Sequence, residues 1–159
     1  MRFSLIDRIT AIEPGQSITA LKNLSLAEEY LADHFPGFAV MPGVMMLETL
    51  VQAGGWLIRV TEDFEHSSIL LKQARAVKFN SFVTPGQTLE VTATIHKKGE
   101  SDYTLKAAGK VDGKPTVSAR ITLDRFNLAD RSPDLAKSDE RITKHMREIF
   151  GQIWTEKTN

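Results

Sequence analysis

The sequence predicts an α+β domain: an antiparallel β-sheet wrapped around one long central helix, followed by an extra C-terminal helix. Three observations carry this expectation. Residues 43–61 (GVMMLETLVQAGGWLIRVT) are apolar on nearly every side, the pattern of a helix buried in a core. Four alternating segments then follow one another with only short turns between them, which favours an antiparallel meander over βαβ units. Near the end, Ile142, Met146, Ile149, Phe150 and Ile153 recur at helical spacing opposite charged residues.

The elements follow in chain order. Residues 3–13 mix apolar and polar side chains and stop at a Pro14-Gly15 turn, after which residues 16–24 alternate as a short strand. Residues 24–33 (LSLAEEYLAD) show helical spacing, with Ser25 as N-cap and Glu28 as its capping-box partner. Pro36 and Pro42 break the next stretch into a loop, and Pro42 suits the first turn of the central helix. Gly54-Gly55 costs about 2 kcal/mol of helix propensity, so close backbone approach is expected there. The four later strands cover residues 66–79, 88–99, 102–113 and 114–126, and Asp112-Gly113 is a strong hairpin signal. Residues 1–127 form the expected domain, and 128–159 a linker and amphipathic helix extending it.

The chain has 159 residues, 42% hydrophobic and 25% charged, as in a soluble globular protein of one domain. Twenty basic residues balance twenty acidic ones, so no basic excess supports nucleic-acid binding. No cysteine is present, which excludes disulfides and thiolate metal sites. The N-terminus has no signal-peptide core and no segment approaches the apolar length of a membrane span. A cytoplasmic protein is expected, without a membrane partner.

Three residues could carry chemistry. Glu48 stands within the apolar helix, one turn before Gln52 on the same face. A lone acid in a helix is usually solvent-facing or paired; one held in an apolar site tends towards the neutral form that a general acid requires. His34 lies in a turn before Pro36-Gly37, and imidazole is the side chain best suited to act as a base near neutral pH, although a single histidine beside Phe35 is more often structural. Gly43 opens the helix, where unpaired N–H groups favour negative charge. A base, an acid and an oxyanion donor are the parts needed to eliminate water from a 3-hydroxyacyl compound. The other histidines have no comparable context, and no spacing suggests a metal site.

At these residues the sequence resembles a known family. HFPG, then MPGV, then a Glu fourteen residues after the His and a Gln four beyond it, closely resemble the 3-hydroxyacyl-(acyl carrier protein) dehydratases of fatty-acid synthesis, of the FabZ type. SLIDRITAIEPGQ, LKNLS and FVTPGQTLEV add to the likeness, which covers roughly residues 3–125. Isomerising relatives carry Asp at the acid position, so Glu48 favours the non-isomerising branch.

The resemblance implies a hot-dog fold and a dimer whose sites each combine the histidine of one chain with the glutamate of the other, often assembled into a hexamer. It implies His34 as base, Glu48 as acid acting through a water, Gly43 N–H on the thioester carbonyl, and Gln52 as the partner of Glu48. Phe35, Met45, Met46, Trp56 and Phe82 are expected in the acyl tunnel, and no metal or redox cofactor is implied. Family members usually carry two basic residues and a proline after the phenylalanine equivalent to Phe79; here Asn80, Ser81 and Phe82 follow. Docking of the acidic carrier protein would then fall to Lys72, Arg75 and Lys78, which read equally well as a solvated strand edge. A thioesterase of the same fold is the rival enzyme, and a non-catalytic acyl-binding or assembly subunit the rival from another class.

Overall fold

The computed structural model describes residues 3–154. Strands β1 (Arg8–Glu13), β2 (Ser17–Asn23), β3 (Ser68–Phe79), β4 (Thr88–Lys98), β5 (Asp102–Val111) and β6 (Lys114–Phe126) form one antiparallel sheet, and helices α1 (Gly43–Thr61) and α2 (Ala136–Ile153) complete it. The spatial order is β1-β2-β4-β5-β6-β3. The sheet curls around α1, which touches β2 through β6.

The central helix runs over the residues its apolar pattern marks. Leu50, Ala53, Leu57 and Ile58 are fully buried against Val91, Leu105, Ile121 and Leu123 of the sheet. The close backbone approach expected at Gly54-Gly55 is not what the fold shows: an added Cβ at Gly54 would lie 3.1 Å from the Leu123 side chain and 3.4 Å from that of Leu105, and at Gly55 nothing lies closer than 3.9 Å. A side chain at Gly54 would need these leucine ends to give by a few tenths of an ångström. The opposite side of α1 is less enclosed: Val44 is 72% exposed, and Glu48 and Gln52 are partly buried. Within one chain the helix is therefore a one-sided core element.

The turn signals act as expected. Pro14-Gly15 joins β1 to β2, with Gly15 at φ 78° and the Gln16 N–H donating to the Glu13 carbonyl at 3.0 Å. Asp112 and Gly113, both at positive φ, close the β5–β6 hairpin, as a two-residue primed turn demands.

Three further expectations need correction. β3 pairs with β6 rather than with β4, so only β4-β5-β6 form the meander, and the chain crosses between them before entering β4. Alternation fixes which face a strand buries but not its neighbour. Residues 8–13 are a strand, β1, which the mixed pattern hid because the pairing with β2 shifts register between Ile9 and Ala11. Residues 24–33 form no helix beyond a single 3₁₀ turn at Glu29–Leu31. The Glu28 carboxylate is drawn instead to the buried Lys22 ammonium, which donates to it at 2.5 Å, and the Ser25 hydroxyl accepts from Ala27 N–H within a local turn.

The tail packs back onto the domain. Phe150 lies 6.0 Å from Trp56 and 5.8 Å from Phe64, centroid to centroid. Arg147 donates to the Asp63 side chain at 3.0 Å and to the Asp63 carbonyl at 2.6 Å. Asp139, 8% exposed, accepts from the Ser67 hydroxyl and from the N–H groups of Leu128 and Ala129 at 2.9 Å. Burial works to raise the Asp139 pKa, but the three donors outweigh it and hold the carboxyl below its usual range. Among the described residues, no helix is long and apolar enough to cross a membrane.

Candidate active site

His34 sits on the turn ahead of α1, partly buried, with Phe35 at φ 55° and Gly37 at φ 88° shaping the backbone. Its Nδ1 lies 3.0 Å from the Val40 carbonyl oxygen. A carbonyl only accepts, so Nδ1 carries the proton and Nε2 keeps its lone pair. The Phe35 ring stands edge-on to the imidazole at 4.4 Å. The turn thus fixes both the tautomer and the plane of the ring.

Beside His34 is a cavity of about 330 Å³ that Gly43, Met41, Met46, Phe79 and Phe82 also line. At its floor α1 begins: the Pro42 carbonyl accepts from Met45 and Met46 N–H, which leaves the N–H groups at the helix start as the free donors of that end. The space left by the absent Gly43 side chain is narrow, because an added Cβ would stand 3.1 Å from the Phe79 ring. A Cβ there would need the half-exposed Phe79 ring to shift by a few tenths of an ångström.

Glu48 occupies a different cavity, of about 460 Å³, together with Gln52 and Trp56. Gln52 Nε2 donates to Glu48 Oε1 at 3.0 Å and to the Phe3 carbonyl at 2.9 Å, while Gln52 Oε1 accepts from Leu5 N–H at 2.9 Å. The N-terminal segment therefore dictates which way the amide faces, and the amide in turn orients the carboxyl. Contrary to a fully enclosed acid, Glu48 is only partly buried in the single chain.

One chain accordingly does not bring His34 and Glu48 into a common cavity. The residues expected in the acyl tunnel divide in the same way. Phe35, Met46 and Phe82 lie with His34, Trp56 lies with Glu48, and Met45 lines neither.

The three basic residues of β3 differ from one another. Lys72 is held by Asp102 at 2.8 Å and Asp124 at 3.4 Å, and those carboxylates, the hydrogen bond to Asp102 first, raise its pKa. Arg75 and Lys78 have no acidic partner among the described residues and border a groove on the outer face of the sheet. Register extends that groove into a row the linear sequence does not display: Lys106 pairs with Arg120, and Arg120 with Arg75. Like charges directly opposite one another cost stability, so three cations abreast are an unusual arrangement for a chain with balanced charge.

Nothing in the sequence marks Arg59, which lines the Glu48 cavity and whose Nη1 donates to the carbonyls of His66 and Ser67 at 3.1 and 3.2 Å. Burial lowers its pKa to about 10, which leaves it charged. Among the described residues the nearest approach to a metal-ligand set is Glu62, Glu65 and His66. Glu62 there is engaged by Arg125 at 2.9 Å, the Tyr103 hydroxyl at 2.8 Å and His66 Nδ1 at 3.1 Å, an ion-pair network that ties the end of α1 to the sheet.

Comparison with known proteins agrees with the motifs. A FabA-like domain matches residues 1–120. The FabZ 3-hydroxyacyl-(acyl carrier protein) dehydratase of Lactobacillus helveticus is 36% identical over 117 residues, which cover 74% of this chain and 79% of that protein. The FabZ dehydratase of Wolbachia pipientis is 34% identical over 120 residues, covering 76% and 84%. In fold, the chain resembles the ApeI:P dehydratase heterocomplex of Xenorhabdus doucetiae at TM-score 0.68 and 16% identity, over 84% of this chain and 90% of that one. It also resembles a mutant thioesterase, PA1618, of Pseudomonas aeruginosa at TM-score 0.60 and 16% identity, over 76% and 81%. The chain belongs to the FabA-like family, among relatives that are FabZ-type 3-hydroxyacyl-(acyl carrier protein) dehydratases.

Proposed function

We propose that this protein dehydrates 3-hydroxyacyl thioesters carried on acyl carrier protein to trans-2-enoyl thioesters, in sites completed by a second copy of the chain. His34 Nε2 removes a proton from the carbon next to the thioester carbonyl. The N–H of Gly43 polarises that carbonyl as negative charge grows on its oxygen. Glu48 of the second copy, acting through a water, protonates the departing 3-hydroxyl, which leaves as water. Gln52 positions Glu48. The proton taken by His34 and the one given by Glu48 balance, so the protein returns to its starting state through solvent.

The observation that carries this reading is the ring of His34, locked by the Val40 carbonyl so that a basic Nε2 remains in an apolar cavity beside the start of α1. The separation of His34 from Glu48 favours the shared site. So do the β3 edge, which has no further strand beside it among the described residues, and the exposure of Phe79 (50%) and Phe82 (63%) next to it. An unpaired apolar edge of this kind invites a second strand. For the carrier, Arg75 and Lys78 together with Lys106 and Arg120 offer an acidic partner a contiguous cationic surface, whereas Lys72 is already paired.

The test is turnover. Incubation with a 3-hydroxyacyl carrier-protein substrate should yield the enoyl product, and His34→Ala and Glu48→Gln should each abolish it. Release of free thiol without enoyl product would replace dehydration by thioester hydrolysis; turnover surviving in both variants would remove the residue assignment.

A further inference from the structure

The Glu48 cavity has a second end. Glu48, Gln52, Gly55 and Arg59 follow one another at helical spacing on one face of α1, so the cavity runs along the helix for about 16 Å at 1.5 Å per residue. Trp56 and Ile69 form its inner side, and α2 roofs it with Ile142, Met146 and Ile149. The roof is pinned at Asp139, Arg147 and Phe150, yet between these anchors about 460 Å³ stays open. The hollow opens to solvent between its partly buried walls, and its volume falls in the range of small-molecule sites. Gly55 adds to the space, since nothing lies closer than 3.9 Å to where its Cβ would stand.

The far end carries Arg59. Its guanidinium bonds two backbone carbonyls through Nη1, and no carboxylate of the described residues pairs with it. A guanidinium has five N–H donors in a fork suited to carboxylate, and a partly buried cation without a counter-charge is costly to keep.

The geometry points to an acyl pocket between α1 and α2 that selects chains ending in a carboxylate or similarly oxygenated group, with Arg59 receiving that end and α2 setting the available length. This rests on the dehydratase reading for the position of the thioester near Glu48. The roof belongs to the part of the chain beyond residue 120, outside the FabA-like match, so this selectivity would be a property of the tail and of Arg59.

Binding can be tested without chemistry. The probes are two saturated N-acetylcysteamine thioesters of equal length, one ending in methyl and one in carboxylate, followed by tryptophan fluorescence because Trp56 lines the cavity. The carboxylate-ended probe should bind about tenfold tighter, the scale of one charge-assisted contact. Arg59→Leu should erase that preference and Arg59→Lys should retain part of it. Gly55→Leu, which improves helix propensity and fills the cavity, should weaken both long probes while thermal melting shows an intact fold. Equal affinity of the two probes in the wild type overturns the proposal, as does unchanged binding in a folded Gly55→Leu. Failure of the wild type to turn over 3-hydroxybutyryl thioester would count against the dehydratase reading alone, since the binding assay involves no reaction.

Discussion

The two cavities of this chain are built on different terms. Around His34 the polar geometry is fixed by one backbone carbonyl, and the surrounding apolar groups remain open: Phe35, Phe38 and Phe82 are each more than half exposed. Around Glu48 the carboxyl is tied through Gln52 to the N-terminal backbone and a helix from the tail closes over it. One cavity is bordered by exposed aromatics, the other by a helix of the tail, and both open to solvent. Exposed aromatics around a positioned imidazole mark a surface on which another group can dock, whereas the Glu48 side is lined in part by the tail of the same chain and leaves its carboxyl only partly buried. The proposed sharing of sites between two copies would draw one half from each of these cavities.

The largest effect tests this division directly. His34→Ala and Glu48→Gln should each lower kcat by about a thousandfold or more, the scale of losing a general base or acid. Mixing the two inactive proteins under conditions that exchange subunits should then restore activity to about a quarter of the wild-type value, because half the dimers are mixed and each holds one intact site of two. A mixture that stays inactive while subunit exchange is demonstrated would place both groups of a site in one chain.

The next effect sharpens the Glu48 half. Gln52→Leu removes the donor to Glu48 and two bonds to the N-terminal backbone. Turnover should fall between about ten- and a hundredfold, as expected for losing a hydrogen bond to a catalytic carboxyl, with KM little changed and the melting temperature lowered. A variant that melts lower yet keeps full kcat would make Gln52 a strut for the N-terminus alone.

On the His34 half, Lys78 directly precedes Phe79 of the cavity wall, and the cationic row lies on the other face of the same strand. Replacing Arg75, Lys106 and Arg120 together by Glu should raise KM for a carrier-bound substrate about tenfold at low salt, with the gap closing as salt rises. KM for the same acyl group on N-acetylcysteamine should not move. Lys72→Ala should leave both unchanged, because that ammonium is already committed to Asp102 and Asp124. Equal effects on the two substrates would exclude the row as the carrier's docking surface.

How far the sequence foretold these halves depends on whether the information was local. The bounds of α1, the Pro14-Gly15 turn and the Asp112-Gly113 hairpin were legible because periodicity and turn chemistry act over a few residues. The partnership of Glu48 and Gln52 was legible from a separation of four in a helix. The pairing of β3 with β6 was not, since β-strand order is decided by long-range packing. For the same reason Lys106 and Arg120 escaped notice until register set them beside Arg75. Arg59 carries no local signal, and only the packing of α2 beside α1 gives it a cavity to line. The 24–33 segment misled because Glu28 had a better partner in Lys22 than in a helix N-terminus.

The smallest effect concerns the roof. Asp139 joins α2 to Ser67 and to the backbone at Leu128 and Ala129, and its folded pKa lies below the ordinary carboxyl value. A depressed folded pKa means that this anchor is fully present above the unfolded pKa and is lost as pH falls through the folded one. At neutral pH the roof should therefore be insensitive to pH, and below about pH 4, the ordinary carboxyl range, it should loosen. Followed by hydrogen exchange of α2 amides, the wild type should show protection that declines only in that acid window. Asp139→Asn should show weaker protection at neutral pH and a flatter acid response, while the β4-β5-β6 amides keep their protection in both. An acid response identical in the two proteins would assign the loosening to other carboxylates and leave Asp139 as a packing residue, and the Glu48 half would then be no more dependent on its tail anchor than the open His34 half.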